Sequence, residues 1–275
     1  MMFSHFKQFA LHLAEIIAWF CRLLPGSLRK GLLTGLFVLE SRGKPADGLR
    51  TLLALQDRLE WVINERALAY GNGIHPKHRL TRYHDFFVAH ILIGSRVLDI
   101  GCGYGAVARS IATRVAGSTV VGVELNRSRL AQARADAVPA NLSFIEADAR
   151  YNLPAGPWNV VVLSNILEHI EDRVGFLSDI LRQAQPEKVL IRVPLFERDW
   201  KLPLRRELGI DYFSDPEHFI EHRLNELREE IGMAGLQPAE TITLWGEIWM
   251  ECTIATGESR PIKALSKHLS LTDGA

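Results

Sequence analysis

Asp99, Glu124, Asp148, Asn165 and His169 are spread through the middle of the chain, and three alternating glycines, Gly101, Gly103 and Gly105, follow the first of them. The glycines close the stretch Arg96-Val97-Leu98-Asp99-Ile100-Gly101-Cys102-Gly103-Tyr104-Gly105. A loop without Cβ atoms at alternate positions turns tightly and lets a ligand press on the backbone. The first amides of a following helix point into the same space. Such a loop cradles a nucleotide-like ligand. Alone it is ambiguous, because Ala106 also completes the dinucleotide pattern G-x-G-x-x-A. The acids narrow it. Glu124 ends the next strand, where a carboxylate can accept from two adjacent ribose hydroxyls. Asp99, two residues before the first glycine, would repel a pyrophosphate and suits a ligand with a cationic centre and an ammonium group. Asp148, just past the third strand in Glu146-Ala147-Asp148-Ala149, can accept from an adenine amino group.

Histidines form two further groups. His75, His78 and His84 lie with Arg79, Arg82 and Tyr83 in one run ahead of the glycine loop. No thiolate or carboxylate stands at ligand spacing beside His75 and His78, so no metal is expected there. The run reads either as an anion- or sugar-binding lip over the pocket or as a solvated loop leading into a helix from Arg82 to Ile93. His218 and His222 flank Glu221, but the acid is misplaced for H-E-x-x-H, and a solvated helix face is expected. Trp200, Arg205 and Arg206 are further acceptor-side candidates.

From Arg96 onward strands and helices alternate, the pattern of a parallel sheet covered on both faces. Strands are predicted at Val97–Ile100, Thr119–Glu124, Leu142–Glu146, Trp158–Leu163 and Lys188–Val193. Helices are predicted at Ala106–Val115, Ser128–Ala137 and Arg173–Gln183. A less regular insert spans Pro194–Phe213. Ser214-Asp215-Pro216-Glu217 has the composition of a helix start, and Gly235 that of its stop. Glu240–Trp245 and Glu247–Ala255 read as an antiparallel pair turning at Gly246. Earlier in the chain, Phe9–Leu24 and Leu28–Leu39 form a helical hairpin broken at Pro25-Gly26. Ser41–Gly48 reads as a linker, and Leu49–Ala69 as a helix with Leu52, Leu55, Leu59 and Val62 on one stripe. The segments are thus residues 1–45, an amphipathic hairpin; 46–93, a helical cap; 94–257, the sheet domain; and 258–275, a polar tail.

The 275 residues are 47% hydrophobic with a formal net charge of zero, so no basic field argues for nucleic acid. Cys21, Cys102 and Cys252 form no C-x-x-C pair, which suits a reducing cytoplasm. The apolar run Phe9–Leu24 carries His12, Glu15 and Arg22 without a following small-residue cleavage site, and is too short and interrupted to span a membrane. Its aromatic, basic character fits a peripheral position at a membrane surface; the alternative is a cap on the sheet domain or on a second copy in a homodimer.

Together, Val97–Gly105, Gly122-Val123-Glu124, Asp148-Ala149 and Ser164-Asn165-Ile166-Leu167-Glu168-His169-Ile170 resemble the class I S-adenosylmethionine-dependent methyltransferases in order and spacing. The resemblance covers about residues 86–255. It implies an α/β fold with a Rossmann-like seven-stranded sheet, last strand antiparallel, here with an N-terminal helical extension. It implies that Asp99, Gly101, Cys102, Gly103 and Gly105 hold the methionine part of S-adenosyl-L-methionine. Glu124 would take the ribose, Leu125, Asp148 and Ala149 the adenine, and Asn165 would lie near the methyl group. His169 is then the expected general base for a hydroxyl acceptor. His75, His78, Arg79, Tyr83 and His84 are the expected acceptor side. The run resembles, more weakly, segments of bacterial glycan-cluster methyltransferases, so a small molecule, sugar or envelope precursor is the expected acceptor, with a lipid-like or quinone-type molecule as the alternative. A silent cofactor-binding module is the non-enzymatic reading. Glu168-His169 also resembles a divalent-metal pair of some quinone-pathway methyltransferases, with Asn165 in place of the accompanying acid; no metal is expected.

Overall fold

A computed structural model describes residues 18–19 and 21–255 of the chain. Most of the predicted Phe9–Leu24 helix, and the tail beyond Ala255, lie outside the described residues. The chain divides into two units: residues up to Pro76 together with Pro203–Tyr212, and Lys77–Leu202 together with the chain from Phe213 onward.

The first unit contains α1 (Gly26–Glu40) and α2 (Pro45–Tyr70). The expected linker is shorter than its composition suggests, because Pro45 starts α2 at a position where its missing N–H costs nothing. Gly48 then packs against the chain before it: a Cβ there would stand 2.3 Å from the Ser41 carbonyl oxygen. Within α2 it is Leu53 that is buried, whereas Leu52, Leu59 and Val62 of the expected stripe are exposed. Arg205, returning with 203–212, bonds the Asp57 carboxylate at 2.6 Å and the Leu53 carbonyl at 3.0 Å.

The second unit begins with two short helices, α3 (Lys77–Thr81) and α4 (Tyr83–Ala89), divided by Arg82 in a left-handed conformation. This break splits the helix expected from Arg82 to Ile93. Strands and helices then alternate: β1 (Arg96–Ile100), α5 (Ala106–Arg114), β2 (Thr119–Glu124), α6 (Arg127–Ala135), β3 (Leu142–Glu146), β4 (Val160–Ser164), α7 (Arg173–Ala184) and β5 (Lys188–Pro194). α8 (Lys201–Glu207) lies in the insert expected to be less regular; α9 (Leu224–Met233), β6 (Leu236–Leu244) and β7 (Glu247–Ile254) complete the chain order. The seven strands form one sheet in the order β3-β2-β1-β4-β5-β7-β6. β1 to β5 are parallel; β7 runs antiparallel to both β5 and β6.

Alternation along the strands fills both faces. Leu98, Ile100, Val161, Leu163 and Ile191 pack with Leu177 and Ile180 of α7 and with Leu227 and Ile231 of α9. Val97, Val120, Val162 and Leu190 face the other way, onto Phe87 of α4, Ile111 of α5 and Leu130 of α6. A parallel sheet sealed on both sides leaves its carboxyl edge as the place for ligands. Gly101, Glu124, Asp148, Asn165 and His169 gather at that edge.

Candidate active site

The strand ends build a cleft of about 550 Å³. Gly101, Glu124, Leu125, Asp148, Ala149, Asn165, Ile166 and His169, from the ends of successive strands, all line it. Gly101, Gly103 and Gly105 all have positive φ. At Gly101 the requirement is also steric, since a Cβ would sit 2.0 Å from Ile166 Cδ1. At Gly103 a Cβ would meet nothing within 4 Å, so the backbone there lies open to a ligand.

Glu124 fixes this loop. Its carboxylate accepts the Gly103 N–H at 2.8 Å and the Asn126 N–H at 2.7 Å. Asn126 in turn caps α6, its side chain accepting from the amides of Ser128 and Arg129. Asp99 is different: it is 1% exposed, and its Oδ2 has no hydrogen-bond partner among the described residues. Burial, reinforced by the nearby Glu124 charge, pushes its carboxyl up to about 7, although an Ala108 amide opposes the shift. Asp148 already accepts two bonds from the Arg150 guanidinium, at 2.7 and 3.0 Å, which hold its carboxyl below the usual range. Cys102 is half-buried beside the loop.

At the end of β4 the chain turns through Asn165, whose φ of 59° is left-handed and whose Oδ1 is buried without a described partner. A single 3-10 turn, Leu167–His169, comes next. Glu168 points inward, fully buried, and neither carboxylate oxygen has a described partner. Burial raises its carboxyl to about 7. His169 faces the cleft; its Nδ1 lies 3.3 Å from the Glu217 carbonyl, and burial, together with the His218 charge, lowers its pKa.

The segment 214–222 overturns its sequence-based expectation. It is not a helix, and His222 is fully buried rather than on a solvated face. Buried and capping side chains order it locally instead. Glu221 accepts from the Ser214 amide at 2.6 Å, the Ser214 hydroxyl at 2.9 Å, His218 Nδ1 at 3.0 Å and the Arg198 guanidinium. Asp215 caps the Glu217 amide at 2.9 Å, and the Phe219 amide bonds the Glu168 carbonyl at 2.8 Å. Against a large burial penalty, the donors around Glu221 pull it down to about 2. Burial alone would depress His218, yet Glu221 and Glu168 raise its pKa. The result carries Glu217 and Phe219 to the cleft wall and sets the His218 ring edge-on to His169, 4.6 Å between centroids. Sequence reasoning missed this segment because its order comes from one buried carboxylate and not from a periodicity.

The expected acceptor-side run is split. His75 belongs to the first unit, where Nε2 lies 3.1 Å from Asn64 Oδ1, and Arg79 is exposed on α3. His78, Tyr83 and His84 do come together: His78 Nδ1 is 2.7 Å from the Tyr83 hydroxyl, and His84 stands edge-on to the Tyr83 ring. Arg192 of β5, which the sequence reading did not single out, lies 3.9 Å over that ring and pairs with Glu247. Burial lifts the Tyr83 phenol to about 12 against the opposing pull of Arg192. Burial, with His78 and Arg192, lowers His84 to about 4. None of the three lines the cleft itself.

Residues 97–187 match the family model of the methyltransferase domain. The same fold occurs in the magnesium protoporphyrin IX methyltransferase of Synechocystis PCC 6803, at TM-score 0.52 and 18% identity over 65% of this chain and 83% of that one. Residues 97–187 are thus similar to the methyltransferase domain, and the sheet has the class I S-adenosylmethionine-dependent methyltransferase fold. The mitomycin 7-O-methyltransferase shares the fold at TM-score 0.53 and 16% identity, over 80% of this chain and 60% of its own. In sequence, the ubiquinone biosynthesis O-methyltransferase of Aliivibrio fischeri (strain MJ11) is 30% identical over 102 residues, 36% of this chain and 43% of that protein. The protein of the same name from Psychrobacter arcticus is 27% identical over 162 residues, 56% of this chain and 58% of that protein. The chain thus spans between two and three fifths of the length of these curated relatives.

Proposed function

We propose that the protein transfers a methyl group from S-adenosyl-L-methionine to a hydroxyl of a lipid-like, quinone-type acceptor. The observation that carries the donor half is Asp99: a buried carboxyl with an unused oxygen beside an open glycine backbone, which a cationic ligand bearing an ammonium group would satisfy. Glu124 keeps acceptor capacity beyond the two amides it binds, so ribose hydroxyls can donate to it. Leu125, Ala149 and Ile166 supply apolar surface for adenine, and Asp148 can accept from its amino group once Arg150 yields one oxygen.

The cofactor supplies the electrophilic carbon. The hydroxyl oxygen forms the new bond to carbon as the carbon–sulfur bond breaks, the electron pair stays on sulfur, and the hydroxyl proton must leave. His169 offers Nε2 on the acceptor side, because Nδ1 is directed to the Glu217 carbonyl. That nitrogen can take the proton. Glu217 and Phe219 add to the cleft lining beside it.

The names of the sequence relatives favour the quinone-type acceptor over the sugar. The exposed apolar surface of α1 supports a position at a membrane surface, where such an acceptor would be met. Among the described residues no helix is long and apolar enough to cross a membrane.

Calorimetry with S-adenosylmethionine, followed by mass spectrometry of turnover on hydroxylated prenyl-aromatic and sugar acceptors in vesicles, tests both halves. Saturable binding is expected, weakened about ten- to a hundredfold by Asp99→Ala, with methylation of the prenyl-aromatic. Binding of NAD in its place would make the site that of a dehydrogenase. Cofactor binding without turnover of any acceptor would favour a silent binding module.

A further inference from the structure

The turn between β6 and β7 holds a residue that its backbone does not favour. Leu244 pairs with Glu247, so the loop is only Trp245 and Gly246, with φ of 57° and 75°. Positive φ at both positions makes a type I′ hairpin, whose first position suits asparagine, aspartate or glycine; a bulky side chain there is an outlier. Packing does not explain it, since Trp245 is 61% exposed. Strain of this kind clusters at functional sites. β7 runs antiparallel to β5 and pairs Glu247 with Pro194, so the turn projects past the carboxyl end of β5, the edge that holds the cleft. The Gly246 carbonyl accepts the Leu195 amide at 2.9 Å, and a Cβ on Gly246 would stand 2.9 Å from that of Arg198. Arg198 binds Glu221, the Phe196 amide bonds the His222 carbonyl at 2.8 Å, and the same segment brings Phe219 to the cleft. Trp200, two residues past Arg198, is 70% exposed, and Phe219 and Leu244 are exposed as well.

We propose that Phe219, Trp245, Leu244 and Trp200 form an apolar row that leads out of the cleft and seats the hydrocarbon tail of the methyl acceptor. This rests on the reading of that acceptor as lipid-like. The cleft must hold the cofactor and the ring that bears the hydroxyl, so a long tail has to leave it along the surface. Apolar surface covered there lowers the free energy of binding in proportion to its area. Charged groups around the row are engaged with one another: Arg198 with Glu221, Asp199 with Lys201, Arg192 with Glu247. The row therefore offers aromatic and aliphatic surface and no free charge. Contacts with an unreacting tail are the same before and during methyl transfer, so the row sets KM by tail length and leaves kcat alone. Trp245 also separates stability from function. Asparagine would relieve the turn, so Trp245→Asn should stabilise the fold while it weakens tail binding, a combination that a structural role for the indole would not give.

The full-length chain, with and without S-adenosylhomocysteine, is titrated by calorimetry with catechol, butylcatechol and decylcatechol below their micelle concentrations. Affinity should rise about tenfold or more from catechol to decylcatechol. Trp245→Asn and Trp200→Ser should each lose about threefold or more of that gain and bind catechol as the wild type does. The thermal midpoint of Trp245→Asn should rise, which also shows that it is folded. In turnover both variants should raise KM for decylcatechol and keep kcat. Should a variant not fold, quenching of the wild-type indole emission by bromodecylcatechol, and not by bromocatechol, takes its place. A wild type that gains nothing from the tail overturns the proposal, as do folded variants that keep the whole gain or an indole emission that bromodecylcatechol leaves unquenched. So does an equal gain from a glucosyl group in place of the alkyl chain, which would make the row a sugar platform. Capture by phosphatidylcholine vesicles through Trp245 and Trp200, without a gain from decylcatechol in solution, would make it a bilayer contact and overturn it too. Tail-dependent binding without methylation would overturn the methyl-transfer reading and leave this one standing; methylation of catechols without tail dependence would do the reverse.

Discussion

A carboxyl group sealed between β1 and the glycine loop, with one oxygen unbonded, makes ligand binding sensitive to pH. Asp99 is held at about 7, whereas an unfolded aspartate titrates at about 3.9. A neighbouring ammonium stabilises the carboxylate, so cofactor binding below about pH 7 must release a proton from Asp99. Affinity therefore rises as pH increases toward 7, by up to about tenfold per unit. It levels off above that, and falls once the α-amino group itself deprotonates near pH 8. Calorimetry at pH 6 and 7.5, in buffers of different ionisation heat, reads the released proton. Asp99→Asn should bind more weakly and lose this component; a pH slope identical in wild type and variant would sink the assignment. That Gly101, Glu124 and Asp148 meet at one cleft was legible in the sequence, because each stands at a strand end and a parallel sheet brings strand ends together. Glu168 was visible as part of a motif, but its isolation was not, since burial without a partner depends on what the rest of the chain fails to supply.

At the scale of elements, the strands and their covering helices arise from periodicity, and their bounds shift by a residue or two at most ends. Trp158 is a case in point: it reads as the start of β4, yet its indole N–H bonds the Pro154 carbonyl at 3.1 Å and the strand begins at Val160. The segment 214–222 was not legible, because the buried Glu221 gathers the Ser214 amide and hydroxyl, His218 and Arg198 around itself, which no sequence periodicity announces. The end of that segment is clamped to two helices. His222 Nε2 lies 3.4 Å from Glu230 of α9, and Arg173 at the start of α7 forks onto the same carboxylate at 2.6 to 2.9 Å. Burial opposes ionisation of Glu230, but His222 and Arg173 outweigh it and hold the group at about 2. A depressed folded-state pKa contributes stability that is complete above the unfolded value, about 4.3, and is lost as pH falls toward 2. Urea unfolding at pH 6, 4 and 3 should show this loss, and Glu230→Gln should be less stable at pH 6 with a flatter profile below it. Equal slopes in the two proteins would remove Glu230 from the account of acid stability.

At the scale of the whole molecule, the two units differ in how they use apolar residues. The sheet unit buries its strands on both faces, whereas α1 has no buried residue at all. Leu28, Leu32, Leu33, Leu36 and Phe37 of α1 are each at least 42% exposed, and basic Arg29 and Lys30 lie on the same helix. Composition identified this stretch as amphipathic and basic but could not say what covers it, since a helix face looks alike whether it meets lipid, protein or a second copy. The quinone-type reading selects lipid. Leu32→Glu combined with Leu36→Glu removes two apolar anchors and adds two charges that anionic headgroups repel, so partition onto vesicles of anionic phospholipid should fall at least tenfold. Cofactor affinity should not change, because every residue lining the cleft belongs to the other unit. High salt should weaken binding of the wild type as well, since the basic groups act through a screened field. If vesicle binding is unaltered while sedimentation shows a dimer dispersed by the same substitutions, the exposed face is a contact between copies. Methylation of a lipid-like acceptor would then have to proceed without α1 as its anchor.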